Sequence, residues 1–166
     1  MITAMHGVST DFKPRGYDIK ITKQILRLEN KPEVFDYFVK KQAKLSGYGY
    51  WYLLGTLWVA NPLGVHIDRW RELFENPARK LKRTSLMKPN EYQAWLDLPE
   101  IIEAYRAVSA LDHRPLSYTT SAYIAERHAR HGRRQVERFT IPKVFVLAYF
   151  LRRNEFELLV TRWPAT

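Results

Sequence analysis

Arg153-Asn154-Glu155-Phe156-Glu157-Leu158-Leu159-Val160 runs from a polar turn into an apolar strand and sets two carboxylates two residues apart. In an extended segment the side chains at i and i+2 share a face, so Glu155 and Glu157 are expected to converge on one small volume. Like charges held that close repel each other. Only 17 side chains are acidic against 27 Lys and Arg, so acids were free to be spread elsewhere if solubility were the only need. The plainer alternative is a polar edge strand leaving a loop.

Upstream of this stretch the texture of the chain changes once, after Pro99. Residues 99–166 read as short alternating runs. Strands are expected at 101–108, 116–119, 136–141, 144–150 and 156–161, with a turn at 112–115. A helix is expected at 121–131, capped by Thr120 or Ser121 and stopped by Gly132. Residues 1–98 read as a mainly helical lobe. Helices are expected from Asn30 and Pro32 to Gly47, over 50–60, over 65–76, and from Pro89 to Trp95 and Leu96. A short strand is expected at 17–21. Residues 50–60 are apolar nearly all round, which suits a helix buried in a small bundle. The expected fold is therefore α+β, with the helical lobe packed on a C-terminal sheet core.

At 166 residues the chain is long enough to bury a sizeable core and short for two large domains. Hydrophobic residues make up 46% and aromatics 14%, which excludes a largely disordered protein. Cysteine is absent, which excludes disulfides and a thiolate nucleophile and fits a reducing compartment. No apolar leader is visible at 1–15, and Asn61-Pro62 ends the apolar run at 50–60 well short of a membrane span. The expectation is a cytoplasmic protein. A net charge of +10 implies a polyanionic partner: nucleic acid, an acidic protein face, or cofactor phosphates.

Three sets of residues carry chemistry. Alternation at 101–108 puts Ile102, Ala104, Arg106 and Val108 on one face, so Arg106 needs a counter-charge or a ligand. Either a structural salt bridge, for instance to Glu157, or a functional contact fits. Leu116-Ser117-Tyr118-Thr119-Thr120 places hydroxyls at alternating positions before an alanine-rich helix. With Thr120 or Ser121 as the cap, Ser117 and Thr119 are left for other duties. Glu155 and Glu157 complete the set.

An arginine on a first strand, a serine on a second and a glutamate pair on a late one, in this order, resemble the mono-ADP-ribosyltransferases of the arginine, serine, glutamate type. The resemblance spans residues 100 to about 161 and rests on Tyr105-Arg106, Leu116-Ser117-Tyr118-Thr119 and Glu155-Phe156-Glu157. The run from Thr140-Ile141-Pro142-Lys143 to Tyr149-Phe150 is similar to the segment leading into that family's acceptor-recognition turn. Ala107 stands where a glycine often follows the arginine, and Ser117-Tyr118-Thr119 departs from the Ser-Thr-Ser form.

The resemblance implies NAD as co-substrate, bound in a cleft between two small sheets. Arg106 would hold its phosphate or ribose oxygens. Ser117 would brace Glu157, and Thr119 would support the same wall. Glu157 would accept from the nicotinamide ribose 2′-hydroxyl and stabilise positive charge as the glycosidic bond breaks. Glu155 would orient or deprotonate the acceptor; a glutamate at that place implies arginine acceptors on a host protein. Tyr118 and Tyr149 would either stack on nicotinamide or pack in the core. Small enzymes of this kind are bacterial effectors, toxins and phage proteins of host takeover.

Rival features remain. His128 and His131 lie three apart on one helix, but no cysteine or H-E-x-x-H pattern accompanies them, so no metal is expected. Residues 127–138 hold Arg127, Arg130, Arg133, Arg134 and Arg138, and residues 79–88 hold Arg79, Lys80, Lys82, Arg83 and Lys88. Either run is a solvated face or a partner surface. The rival function is accordingly a non-enzymatic basic binder, a degenerate transferase acting on nucleic acid or on a nucleic-acid-processing partner.

Overall fold

Residues 17–21 alternate like a strand, yet they form the start of a helix, α1 (Gly16–Arg27). The reason lies four residues on: Ile21 and Ile25 are both buried, which a helix achieves on one face. Asp18 settles the start. Its carboxylate accepts from the Arg15 amide at 2.9 Å, the Ser46 amide at 2.8 Å and the Ser46 hydroxyl at 2.5 Å.

The computed structural model describes residues 11–60, 66–110, 112 and 115–162. Contacts divide the chain into two compact units, 1–90 and 91–166. The division falls eight residues before the expected one at 98, because Glu91 and Trp95 bond to the strand region of the second unit. Trp95 Nε1 donates to the Val146 carbonyl at 3.1 Å.

The first unit continues with α2 (Glu33–Lys41), α3 (Gly47–Ala60), α4 (Ile67–Phe74) and α5 (Arg83–Leu86). Asn30, expected as a helix cap, instead takes a left-handed φ of 63°, a conformation asparagine tolerates. Gly47 opens α3 rather than closing α2. The expected start of α4 at Val65 lies outside the described residues. Tyr50, Trp51, Phe35, Phe38 and Trp70 fill the core, and the Tyr50 hydroxyl donates to the Leu73 carbonyl at 2.6 Å. Gly55 lets α3 touch α5: a Cβ there would lie 2.6 Å from the Leu86 carbonyl oxygen.

The second unit begins with α6 (Pro89–Leu96) running into it, followed by β1 (Ile101–Val108), β2 (Ser117–Thr119), α7 (Ala122–Gly132), β3 (Gln135–Pro142), β4 (Ala148–Phe150) and β5 (Glu157–Leu159). Part of the expected turn at 112–115 lies outside the described residues. Residues 144–147, expected to be strand, make a 3-10 turn over Lys143–Phe145 before β4.

The strands form one antiparallel sheet in the order β3-β1-β2-β5-β4. Two small sheets were expected. The seam closest to a split is β1 against β2, registered at the single pair Tyr105 and Thr119, whereas β1 and β3 pair along their whole length. One face of the sheet packs Ile102, Ala104, Tyr118, Ile141, Tyr149 and Leu158 into a core. Helix α7 lies against β1, β2 and β3 and buries Ile124, Ala125 and Ala129. Its alanines allow the close approach.

Candidate active site

The strand order brings β1, β2 and β5 side by side in the middle of the sheet, and with them Arg106, Ser117 and Glu157. Directly opposed residues of antiparallel strands share a face. The pairs Tyr105 with Thr119, Thr119 with Glu157 and Ser117 with Leu159 therefore put the side chains of Ser117, Thr119 and Glu157 on one face, and Tyr118 with Leu158 on the other.

Ser117 is the joint of the site. Its hydroxyl donates to Glu157 Oε1 at 2.6 Å, and its carbonyl accepts from Arg106 Nη1 at 2.7 Å. Arg106 starts from the face of Ile102, Ala104 and Tyr118, opposite the Ser117 and Glu157 side chains, and reaches only the backbone of the first residue of β2. Its counter-charge is Asp112, with Nη2 and Oδ2 3.4 Å apart, rather than the Glu157 considered from sequence. Arg106 Nε is buried and has no hydrogen-bond partner among the described residues. An unpaired buried donor costs free energy, which the contacts at the other two guanidinium nitrogens offset.

Thr119 supports the adjoining turn: its hydroxyl donates to the Glu155 carbonyl at 2.8 Å and accepts from the Ser121 amide at 3.1 Å. Ser121, the second of the two caps considered, accepts from the Ile124 amide at 3.3 Å and starts α7. Arg133, in a left-handed conformation with φ 50°, ends that helix, so the stop lies one residue beyond Gly132.

The two glutamates do not sit at i and i+2 of an extended strand. Strand β5 begins at Glu157, and Glu155 belongs to the preceding turn with φ −87° and ψ −16°. Phe156 between them has φ 49°, and Arg153 and Asn154 are also left-handed. The carboxylates accordingly have separate partners. Glu155 pairs with Arg127 Nη2 at 2.8 Å and His128 Nε2 at 2.9 Å, both from α7, while Glu157 takes the Ser117 hydroxyl.

Of these left-handed residues Asn154 is of a type that tolerates the conformation, whereas Arg153 and Phe156 cost roughly 1 kcal/mol or more each. The turn is held from behind by a residue the sequence did not single out. Glu91, 0% exposed, accepts from the Leu151 amide at 3.0 Å, the Arg152 amide at 3.2 Å and Arg152 Nε at 3.0 Å through Oε1, and from Arg152 Nη2 at 3.1 Å through Oε2. Nothing near Glu91 in the sequence marks it, because its partners are about sixty positions away. Asp112 was equally silent.

Tyr118 and Tyr149 are both in the hydrophobic core. The Tyr118 ring meets Phe139 edge-on at 5.1 Å, and the Tyr149 hydroxyl shares a hydrogen bond of 2.9 Å with Thr120. Neither ring is on the face of Ser117 and Glu157. The basic runs are also partly engaged within the protein, Arg79 at a half-buried position and Arg138 in a surface pair. Arg79 donates to the Leu45 and Gln42 carbonyls and lies over the Tyr50 ring, and Arg138 pairs with Glu103 at 2.5 Å. Among the described residues no group of three or more histidine or acidic side chains is arranged to hold a metal ion, and no helix is long and apolar enough to cross a membrane. Comparison with family models, curated proteins and solved structures returns no match to this chain.

Proposed function

We propose that this protein transfers ADP-ribose from NAD to a protein acceptor at arginine and releases nicotinamide. The observation that carries this reading is the linkage through Ser117, which holds a glutamate by its hydroxyl and an arginine by its carbonyl at the centre of the sheet. A carboxylate oriented by a serine donor is suited to a cationic transition state, and the arginine fixes that serine's strand from the opposite face. In the reaction the bond from ribose C1′ to the nicotinamide nitrogen breaks and its electron pair leaves with nicotinamide. A bond from C1′ to the acceptor nitrogen forms, and the acceptor proton goes to a base.

Glu155 is the candidate for orienting the acceptor. It already binds the guanidinium of Arg127, whose side chain is 43% exposed and so free to yield its place to an acceptor arginine. We assign Tyr118 and Tyr149 to packing in this reading and leave NAD contacts to Ser117 and Thr119, on the face of Glu157; Arg106, on the opposite face, braces the Ser117 carbonyl.

A time course with NAD labelled in its ADP-ribose part tests the proposal in the presence of a mixed host-protein extract. Label on protein, lost by about a hundredfold or more in Glu157→Gln with the KM for NAD little changed, is the expected result. Label only in free ADP-ribose would make the protein a glycohydrolase, and label on nucleic acid would change the acceptor. No NAD consumption at all would leave the basic binder, which the net charge of +10 favours.

A further inference from the structure

The first unit holds a cavity of about 250 Å³ where the start of α3 meets the segment leading into α5. Three of its lining side chains are cations: Lys13, Arg15 and Lys82. None of them forms an ion pair with a described residue, although acids are at hand. Asp11, also in the lining, instead accepts from the hydroxyls of Thr84 and Ser85. Asp18, close by, is occupied by the Arg15 amide and by the amide and hydroxyl of Ser46.

The arrangement is held in place by the fold. Gly55 brings α3 onto α5, and Trp51 Nε1 donates to the Lys80 carbonyl at 2.8 Å. Lys82 is thereby laid over Gly47, its Nζ 3.5 Å from the point a Cβ of Gly47 would occupy. That places an ammonium against the first turn of a fourteen-residue helix, the end that carries partial positive charge. Three cations in the lining outnumber its one carboxylate, Asp11, and with Asp18 close by the site keeps a net positive charge that a bound anion would offset.

Tyr48 supplies an independent indication. It lines the same cavity, is only 7% exposed, and its hydroxyl has no hydrogen-bond partner among the described residues. Its ring is fixed by stacking on Tyr52 and an edge contact with Phe12. Burial, with smaller contributions from Tyr52, Asp18 and Asp11, raises its pKa from 10.0 to about 12, so the hydroxyl remains a donor.

We propose that this cavity binds the phosphate group of a small molecule, with Lys13, Arg15 and Lys82 as counter-charges and the Tyr48 hydroxyl as a fixed donor. The volume suits a phosphate or diphosphate. A nucleic-acid backbone would need a basic track running on from the cavity, and Arg79, close to Lys82 in sequence, is turned inward onto the Leu45 and Gln42 carbonyls instead. The site uses no residue of the sheet, so it stands whether or not the protein turns over NAD.

Isothermal titration of the full chain with pyrophosphate, at constant ionic strength made up with chloride, tests the proposal. Inorganic phosphate and a short single-stranded DNA are parallel ligands. Saturable binding of one pyrophosphate per chain is expected, weakened about tenfold by Lys82→Met and severalfold by Tyr48→Phe. Arg138→Met, which removes the same charge from a residue outside the lining, should leave it unchanged. Absence of saturable heat with both phosphate ligands overturns the proposal. So does equal weakening by Lys82→Met and Arg138→Met, which would mean bulk charge alone, or binding confined to the DNA.

Discussion

Replacing Glu91 by alanine should destabilise the second unit more than any surface change in the protein. Its carboxylate serves two backbone amides and two guanidinium nitrogens of the turn after β4. Truncation leaves the Leu151 and Arg152 amides without their acceptor, at about 1 kcal/mol or more each, and leaves Arg152, whose side chain is 17% exposed, without its counter-charge. Removing one partner of a buried ion pair costs about 3–5 kcal/mol, which we take as the range for Glu91→Ala. With a urea m-value of about 1 kcal/mol/M, the midpoint falls by about 3 M or more. Glu91→Gln keeps one oxygen for the amides but turns an NH2 group towards the guanidinium, and should lose about half as much. Urea unfolding, with hydrogen exchange resolved at Leu151 and Arg152, measures both effects. A glutamine variant with the native midpoint and native protection at those two amides would refute the reasoning.

Ser117→Ala removes the donor that orients Glu157, so NAD turnover should fall about tenfold with little change in KM for NAD; an equal loss through KM alone would argue that the serine only helps binding. Tyr48 has its pKa raised by burial, so the stability its neutral phenol supplies is present in full below pH 10 and lost as pH rises through about 12. Unfolding followed by circular dichroism should show that loss in the native chain and a shallower one in Tyr48→Phe. Gly55→Ala forces a methyl against the Leu86 carbonyl and should cost about 1–3 kcal/mol, read as a lowered unfolding midpoint. Phe156→Gly relieves a left-handed φ of 49° at a residue 39% exposed; by thermal melting the second unit should be unchanged or stabilised by up to about 1 kcal/mol, and a clear loss would show that the ring contributes packing.

Local pattern carries what local forces decide. The strand at 101–108 follows from alternation that buries Ile102 and Ala104 and exposes Ile101 and Glu103. The cap at Ser121 and the alanine face behind it mark α7 in the same way. Where a distant partner decides, the pattern misleads or is silent. Tyr17, Ile19 and Ile21 alternate like a strand, but α1 forms because Asp18 binds Ser46 and because Ile21 and Ile25 must bury together. The spacing of Glu155 and Glu157 suggested convergence, and Phe156 breaks the extended geometry that inference assumed. A left-handed phenylalanine has no signature in composition. Arg106 was recognisable as a cation in need of company, yet its companion, Asp112, lies in a turn rather than in the strand expected to supply it.

Strand β5 is last of the five in the sequence and sits between β2 and β4 in space. A chain ending before β5 is therefore expected to lack both the acid proposed for the reaction and the strand that joins β4 to the rest.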